Sequence, residues 1–252
     1  IFISAVFIVT LAVLFFVAVK TVYRDFKLSA ENYFEDNLLD DLVLFGIFSE
    51  DDIKTIKDIN GVERAEGKHR FQGKIEKIEI ENEDKEENKE SIDTIIYGTD
   101  DKYVKINKPY VYKGKYILDT NEIAINKNFA DARSLEIGDE IELNFNNKTE
   151  TFIIASLVSY PNYVFLFKDG ASTVSKPEDF AVVEINEEHF KYIPYNSIYI
   201  KYKENVNRAN IENLIRIKLK EKIFYFTDRE QSVNYVNYEQ TLLQIDSFSY
   251  IC

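Results

Sequence analysis

Residues 41–61 read DLVLFGIFSEDDIKTIKDING, and the order of signals in them decides the fold. The run at 41–46 (DLVLFG) is apolar and has the length of a buried strand. Ser49 then supplies a capping hydroxyl, and Glu50, Asp51 and Asp52 supply three acids, ahead of Ile53, Ile56 and Ile59. A capping side chain followed by acids is how a helix start is written, because both satisfy the unpaired N–H groups of the first turn. Asn60-Gly61 closes that helix, and the sequence from Val62 to about Ile80 turns strand-like again. The stretch from 41 to 80 therefore predicts strand, helix, strand.

Working outward, the far end of the chain echoes this pattern. Residues 197–202 (SIYIKY) predict a strand, 205–222 a helix with Ile211, Leu214, Ile215 and Leu219 on one face, and 223–226 a strand. From about 100 to 180 the signals are β. Residues 121–125 (NEIAI) are a strand candidate and 129–135 a short helix. Ile137-Gly138-Asp139-Glu140 turns into Ile141, Leu143 and Phe145, which alternate with period two before Asn146-Asn147 turns the chain into 151–158. A small barrel or twisted sheet follows from that pattern. Two strand-helix-strand units bracketing a β-rich middle predict an α+β fold, a split domain with an insertion. The charge-dense run at 81–90 (ENEDKEENKE) reads as a solvated hairpin tip; as a cation site it lacks the central glycine of an EF-hand loop.

Residues 1–19, IFISAVFIVTLAVLFFVAV, carry no charge and would cover about 28 Å as a helix, close to the hydrocarbon thickness of a bilayer. A transmembrane helix is preferred over a signal peptide, since no small-x-small cleavage site precedes Lys20 and Thr21. Beyond it, Tyr23, Phe26, Ala30, Tyr33, Phe34 and Leu38 keep one helix face, so the helix is expected to continue outward as a stalk. Val233, Val236, Leu242, Leu243, Ile245 and Phe248 predict a second stalk helix within 232–251. The expected division is a membrane helix at 1–19, a stalk at 20–39, the first half of the α+β domain at 40–99, a β-rich insertion at 100–180, the second half at 181–230, and a return stalk at 231–252.

Composition sets the outer bounds. With 252 residues, 45% hydrophobic and 30% charged, the chain can bury a real core. A formal net charge of −13 repels phosphate backbones, so nucleic-acid binding is not expected. Cys252 is the only cysteine, which rules out an internal disulfide. No methionine occurs, even at position 1, so the chain is expected to be a piece of a longer protein; heavy use of Ile, Asn, Lys, Glu and Tyr suggests an AT-rich, bacterial source.

Chemistry-bearing motifs are missing. His69 and His189 stand far apart without H-x-x-x-H or C-x-x-C partners, so each reads as a surface or strand-face histidine. There is no G-x-G-x-x-G, no Walker A loop, no nucleophile elbow, no S-x-x-K and no H-E-x-x-H. No catalytic, cofactor-binding or metal residue is predicted, and the chain is not expected to be an enzyme. Tyr160, Tyr163, Phe165 and Phe167 cluster around Pro161, either as packed core or as the wall of a groove for an extended or lipidic partner.

The order of these segments resembles the extracytoplasmic region of FtsX/MacB-like ABC transporter permeases. The resemblance is carried by the first span running into Tyr23-Arg-Asp-Phe26, then Asp40-Asp-Leu-Val43, Asp51-Asp-Ile-Lys54 and Ile59-Asn-Gly-Val-Glu63. It continues through Glu122-Ile-Ala-Ile125, Leu135-Glu-Ile-Gly-Asp139, Thr151-Phe-Ile-Ile154, Phe180-Ala-Val-Val183 and Ser197-Ile-Tyr-Ile200. It implies a part without catalysis, anchored in the cell membrane with its bulk extracytoplasmic. The implied partners are a separate ABC ATPase subunit, the membrane, a second permease copy, and a peptide, lipoprotein or lipid substrate or an external protein to be regulated. It also implies that 246–252 leads into a second span. Lys20, Arg24 and Lys27 alone would place the region after the span in the cytoplasm, so the outward orientation comes from the resemblance. The alternative is the sensory ectodomain of a membrane receptor, which also lies between two spans on helical stalks; a membrane-anchored surface enzyme is a third.

Overall fold

The computed structural model describes residues 2–79, 91–99, 106–116, 118–167 and 174–248; the run at 81–90 and Cys252 lie outside them. In chain order the elements are α1 (Phe2–Asp36), β1 (Leu42–Phe48), α2 (Glu50–Lys57), β2 (Val62–Lys68), β3 (Arg70–Glu79), β4 (Ile92–Thr99) and β5 (Tyr110–Gly114). They continue with β6 (Glu122–Asn126), α3 (Lys127–Arg133), β7 (Glu140–Phe145), β8 (Lys148–Ser159), β9 (Phe180–Asn186), β10 (Tyr195–Tyr202), α4 (Arg208–Leu219), β11 (Ile223–Asp228) and α5 (Val233–Phe248).

The strand and the capped helix read from 41–61 are both present, as β1 and α2. Ser49 and Asp52 form a capping box at the start of α2, with the Ser49 backbone N–H bonded to Asp52 Oδ2 at 2.9 Å. Lys222 Nζ clamps the same carboxylate at 2.8 Å, tying α2 to the turn before β11. The two strand-helix-strand units combine into one four-stranded sheet of order β11-β1-β10-β2, antiparallel throughout. That is the strand order of a split β-α-β unit, interrupted between β2 and β10. Leu42, Leu44, Ile198 and Ile200 face α2 and α4 and pack on Ile53, Ile56, Ile211 and Ile215. The alternate residues Val43 and Tyr199 face the other way, into a second core shared with Ile95, Tyr97 and Val182. Sequence runs such as DLVLFG are apolar at successive positions because both faces of this sheet are covered.

The interruption is a barrel. Its sheet runs β5-β8-β6-β9-β4-β3-β7, and β8 also pairs with β7, so β8-β6-β9-β4-β3-β7 closes on itself with β5 added outside. Ile75, Ile96, Ile123, Ile141, Phe152 and Val183 fill its interior. Asn146 and Asn147 both have positive φ (49° and 60°), the geometry of the two-residue hairpin turn joining β7 to β8. The sheets divide between Lys68 and Arg70 on the way out and between Asn186 and Tyr195 on the way back, so the expected boundaries at 99/100 and 180/181 fall inside the barrel. The run read as one strand from 62 to about 80 is two strands over its described part, 62–79: the chain changes sheets at His69 without a proline or turn sequence to mark it. The crossings lie side by side, where the Arg70 N–H bonds Asn196 Oδ1 at 2.8 Å and Asn196 Nδ2 bonds the Arg70 carbonyl at 2.7 Å.

Helix α1 has 35 residues, about 52 Å of rise, and its most apolar window has no buried residue. That part is long and apolar enough to cross a membrane. Against its polar half lies α5, running the opposite way: Lys20 Nζ meets Asp246 Oδ1 at 2.7 Å near one end, and Phe34 meets Tyr238 edge-on at 5.2 Å near the other.

Candidate functional site at the stalk joint

Helix α1 stops at a corner that the rest of the molecule holds from three directions. Leu39 N–H bonds the Phe34 carbonyl at 2.8 Å and Leu38 N–H bonds that of Glu35 at 3.0 Å, with Leu38 left-handed at φ 52°. This is a Schellman stop built on leucine where glycine is usual, at a conformational cost on the order of 1 kcal/mol. From the barrel side, Asn107 N–H bonds the Leu38 carbonyl at 3.0 Å while its side chain accepts from Asp40 N–H at 2.9 Å and donates to Asp40 Oδ1 at 2.6 Å. From β10, Lys201 Nζ donates to the Leu39 carbonyl at 2.8 Å and Tyr202 N–H to Asp41 Oδ2 at 2.8 Å. From the turn between β11 and α5 comes Arg229. Its guanidinium bonds the carbonyls of Leu39 (2.6 Å) and Asp40 (2.7 Å) and pairs with Asp41 Oδ1 at 2.8 Å. One side chain ahead of the second stalk therefore grips the end of the first.

The electrostatics follow from burial. Burial pushes the Asp40 carboxyl above the ordinary carboxylate range, with Asn107 and Arg229 only partly offsetting it. Burial likewise lowers Lys201, helped by the nearby Arg229 charge. Tyr33, whose hydroxyl meets Ser159 Oγ at 2.5 Å, is pushed up to about 12, chiefly by burial. That contact ties the stalk directly to β8.

Beside the joint, a cleft of about 430 Å³ opens between the outer face of the four-stranded sheet, the barrel and the first turn of α5. Tyr163 and Phe167, from the aromatic cluster singled out in the sequence, line it; Tyr160 is buried in the core between the sheets instead. Phe165 N–H bonds Asn234 Oδ1 of α5 at 3.0 Å, so the same segment also touches the second stalk. Sequence reasoning missed Asp40, Asp41, Asn107 and Arg229 as a joint, and missed Arg70 in the cleft. His69 is buried, its Nδ1 2.5 Å from Glu187 Oε1 and its Nε2 2.7 Å from the Ile193 carbonyl, between the two crossings. His189 meets the Thr120 carbonyl and Glu150. Among the described residues no group of three or more His, Cys, Asp or Glu side chains is arranged to hold a metal.

The family model of the MacB-like periplasmic core domain matches residues 2–217, from α1 into the last turns of α4. The chain belongs to that family. It is thus a periplasmic core domain of a MacB-like ABC transporter permease, carried on a helix long and apolar enough to anchor it in a membrane. No curated protein sequence matches it. Among solved structures it is similar to the periplasmic region of MacB from Actinobacillus actinomycetemcomitans, at 12% identity and a TM-score of 0.45 over 80% of this chain and 91% of that one. It is also similar to the extracellular domain of the noncanonic ABC-type transporter YknZ from Gram-positive bacteria, at 12% identity and a TM-score of 0.45 over 74% of this chain and 97% of that one.

Proposed function

We propose that this MacB-like core domain is the extracytoplasmic lever of its permease, passing nucleotide-driven motion of membrane helices from two stalks into a head that acts on a peptide, lipoprotein, lipid or external protein. Permeases of this type work with ABC ATPase partners, and a second permease copy fits the same reading. The observation that carries the proposal is the grip of Arg229 on Leu39, Asp40 and Asp41. A lever needs both arms fixed to one point of the load, and here the end of α1 and the start of α5 share that point. The contacts of Lys20 with Asp246 and of Phe34 with Tyr238 keep the arms together along their length, so displacement of one is resisted by the other.

The test uses the full-length permease with its ATPase subunit in lipid nanodiscs, read by hydrogen exchange with and without ATP plus vanadate. Nucleotide should change protection in 33–41 and 228–248 and in the head. Arg229→Ala should keep the change in the stalks and lose it in the head. Unchanged exchange at the stalks on nucleotide binding, or the lack of any ATPase subunit associating with the permease, would sink the lever and favour the sensory reading.

A further inference from the structure

We infer that the outer edge of β11 is a docking surface for an extended, acid-ended segment of a partner protein, added to the four-stranded sheet as a fifth strand. β11 is the last strand in the order β11-β1-β10-β2, and no strand among the described residues pairs with its outer side. Such an edge presents a row of unpaired N–H and C=O groups, which match another strand and not a lipid or a nucleic acid. Edges are ordinarily guarded by proline, by lysine within the strand or by a covering element. β11 reads IFYFTD, with Phe224 67% and Tyr225 57% exposed, and has none of these guards. A bulge at its start leaves Phe224 as the extra residue between Ile223 and Tyr225, and from Tyr225 to Asp228 the ladder with β1 is regular. Four consecutive residues, Ile223 to Phe226, line one recess together with Arg216 and Lys220. Side chains of a strand alternate between its faces, so a recess bounded by all four lies along the edge itself.

Charge identifies the occupant. Arg216 and Lys220 are the charged residues lining the recess, and no carboxyl lines it. Around it, 216–222 (RIKLKEK) sets four cations against one acid in a chain of net charge −13. Lys222 is taken up by Asp52, and Arg216 lies 3.8 Å over the Phe226 ring, within the field of Glu212 and Asp228. Lys218 and Lys220 are exposed, and their ammonium groups make no ion pair or hydrogen bond among the described residues. Lys220 also holds φ 46° and ψ −120°, which glycine would adopt without strain, and no contact of its ammonium offsets that cost. The acids lie at the other end of the strand: Asp228, and Glu230 paired with Arg208 at 2.5 Å. An antiparallel fifth strand, the pairing used throughout this sheet, runs from Asp228 back toward Ile223. Its acids therefore belong at its C-terminal end, beside Lys218 and Lys220, behind an apolar stretch over Phe224 and Tyr225. β11 ends one residue before Arg229, so the occupant sits on the segment that grips the end of α1. The inference does not rest on the lever, because binding is measured without nucleotide or ATPase.

The test is fluorescence anisotropy of the full chain in nanodiscs of neutral lipid, with two labelled peptides and with hydrogen exchange to locate the site. One peptide is Thr-Val-Ser-Val-Thr-Glu-Asp-Glu; the other ends in Gln-Asn-Gln instead. At about 50 mM salt the acid-ended peptide should bind at least about fivefold more tightly than the neutral-ended one and protect 223–228, and about 1 M salt should erase the difference. Lys218→Glu with Lys220→Glu, at two exposed positions, should bring the acid-ended peptide to the level of the neutral one or below. Phe224→Ser should weaken both peptides, and it leaves the charges in place. Equal binding of the two peptides, binding indifferent to the double charge reversal, protection at the other open edge, 110–114, in place of 223–228, or binding of phosphatidylglycerol vesicles and of neither peptide would overturn the inference.

Discussion

Lys20, one residue beyond the apolar run of the first helix, bonds Asp246 near the far end of the last helix at 2.7 Å, so the two helices run antiparallel right up to that apolar run. Both side chains are about a third exposed (36% and 29%), and a pair in that setting contributes only about 0.5 kcal/mol. Tyr238, buried against Phe26 and Phe34, has far more to lose. In a double-mutant cycle read by denaturation in detergent, Lys20→Ala with Asp246→Ala should show coupling below about 1 kcal/mol, while Tyr238→Ala should cost about 3 kcal/mol. A larger coupling for the ion pair than the loss at Tyr238 would mean that charge, not ring packing, zips the stalks.

Arg229→Ala removes three hydrogen bonds at once and leaves Asp41, only 5% exposed, with a weakened set of partners. The expected loss of stability is about 3 kcal/mol or more, because a buried charge stripped of its partner keeps its desolvation cost. Lysine cannot reproduce the fork, so Arg229→Lys should recover less than half of the loss. The chain lacks tryptophan, and near-ultraviolet circular dichroism of its 17 tyrosines is a suitable readout.

Asp40 sets a slope in stability against pH. Its carboxyl titrates higher in the folded state than in the unfolded one, chiefly through burial, so the folded protein binds the extra proton. Stability from this group is therefore present below the ordinary carboxylate value of about 3.9 and is lost as pH rises through the raised folded value. Asp40→Asn keeps an oxygen for Asn107 and abolishes the titration. Between about pH 4 and about pH 7 the variant should gain stability relative to the parent chain, and a flat difference would show that Asp40 is not the source. Asp52 slopes the other way: burial raises it, but hydrogen bonds from Lys222 and Ser49 prevail and hold it low, so its contribution fades on acidification. It cancels in the comparison.

Gly46 pairs with Ile223 where β1 meets the start of β11, and a Cβ there would run into the carbonyl oxygen of Lys222 and the ring of Phe48. Gly46→Ala should cost about 1–3 kcal/mol by pushing β11 off the sheet edge. Hydrogen exchange at 223–228 should rise more than at 195–202. A uniform rise would mean that the two strands open together.

The split unit was legible because its signals are local. A capping serine three residues before an acid, or a strand pattern beside a helix face, is complete within a dozen residues. The change of sheet at His69 was not, because a β run crossing from one sheet to another keeps β chemistry on both sides of the break. The cleft and joint were hidden for a further reason: Phe34, Val43, Arg70, Tyr163 and Arg229 come from five segments and meet only after both sheets have formed. A lone arginine in Asp228-Arg229-Glu230 looks like any surface turn. The one available hint was the continuous apolarity of DLVLFG and SIYIKY, which requires something to cover the second face of the sheet.

The outward and returning crossings of the barrel lie next to each other, and the strands they leave are already antiparallel neighbours, with Lys68 opposite Ser197. A turn of roughly two to five residues between them would close an ordinary hairpin and leave all four strands and both covering helices in place. The barrel is in that sense a cassette. Evolution can enlarge, shrink or exchange it without redrawing the lever beneath, so what the head touches and how it is moved can be inherited separately.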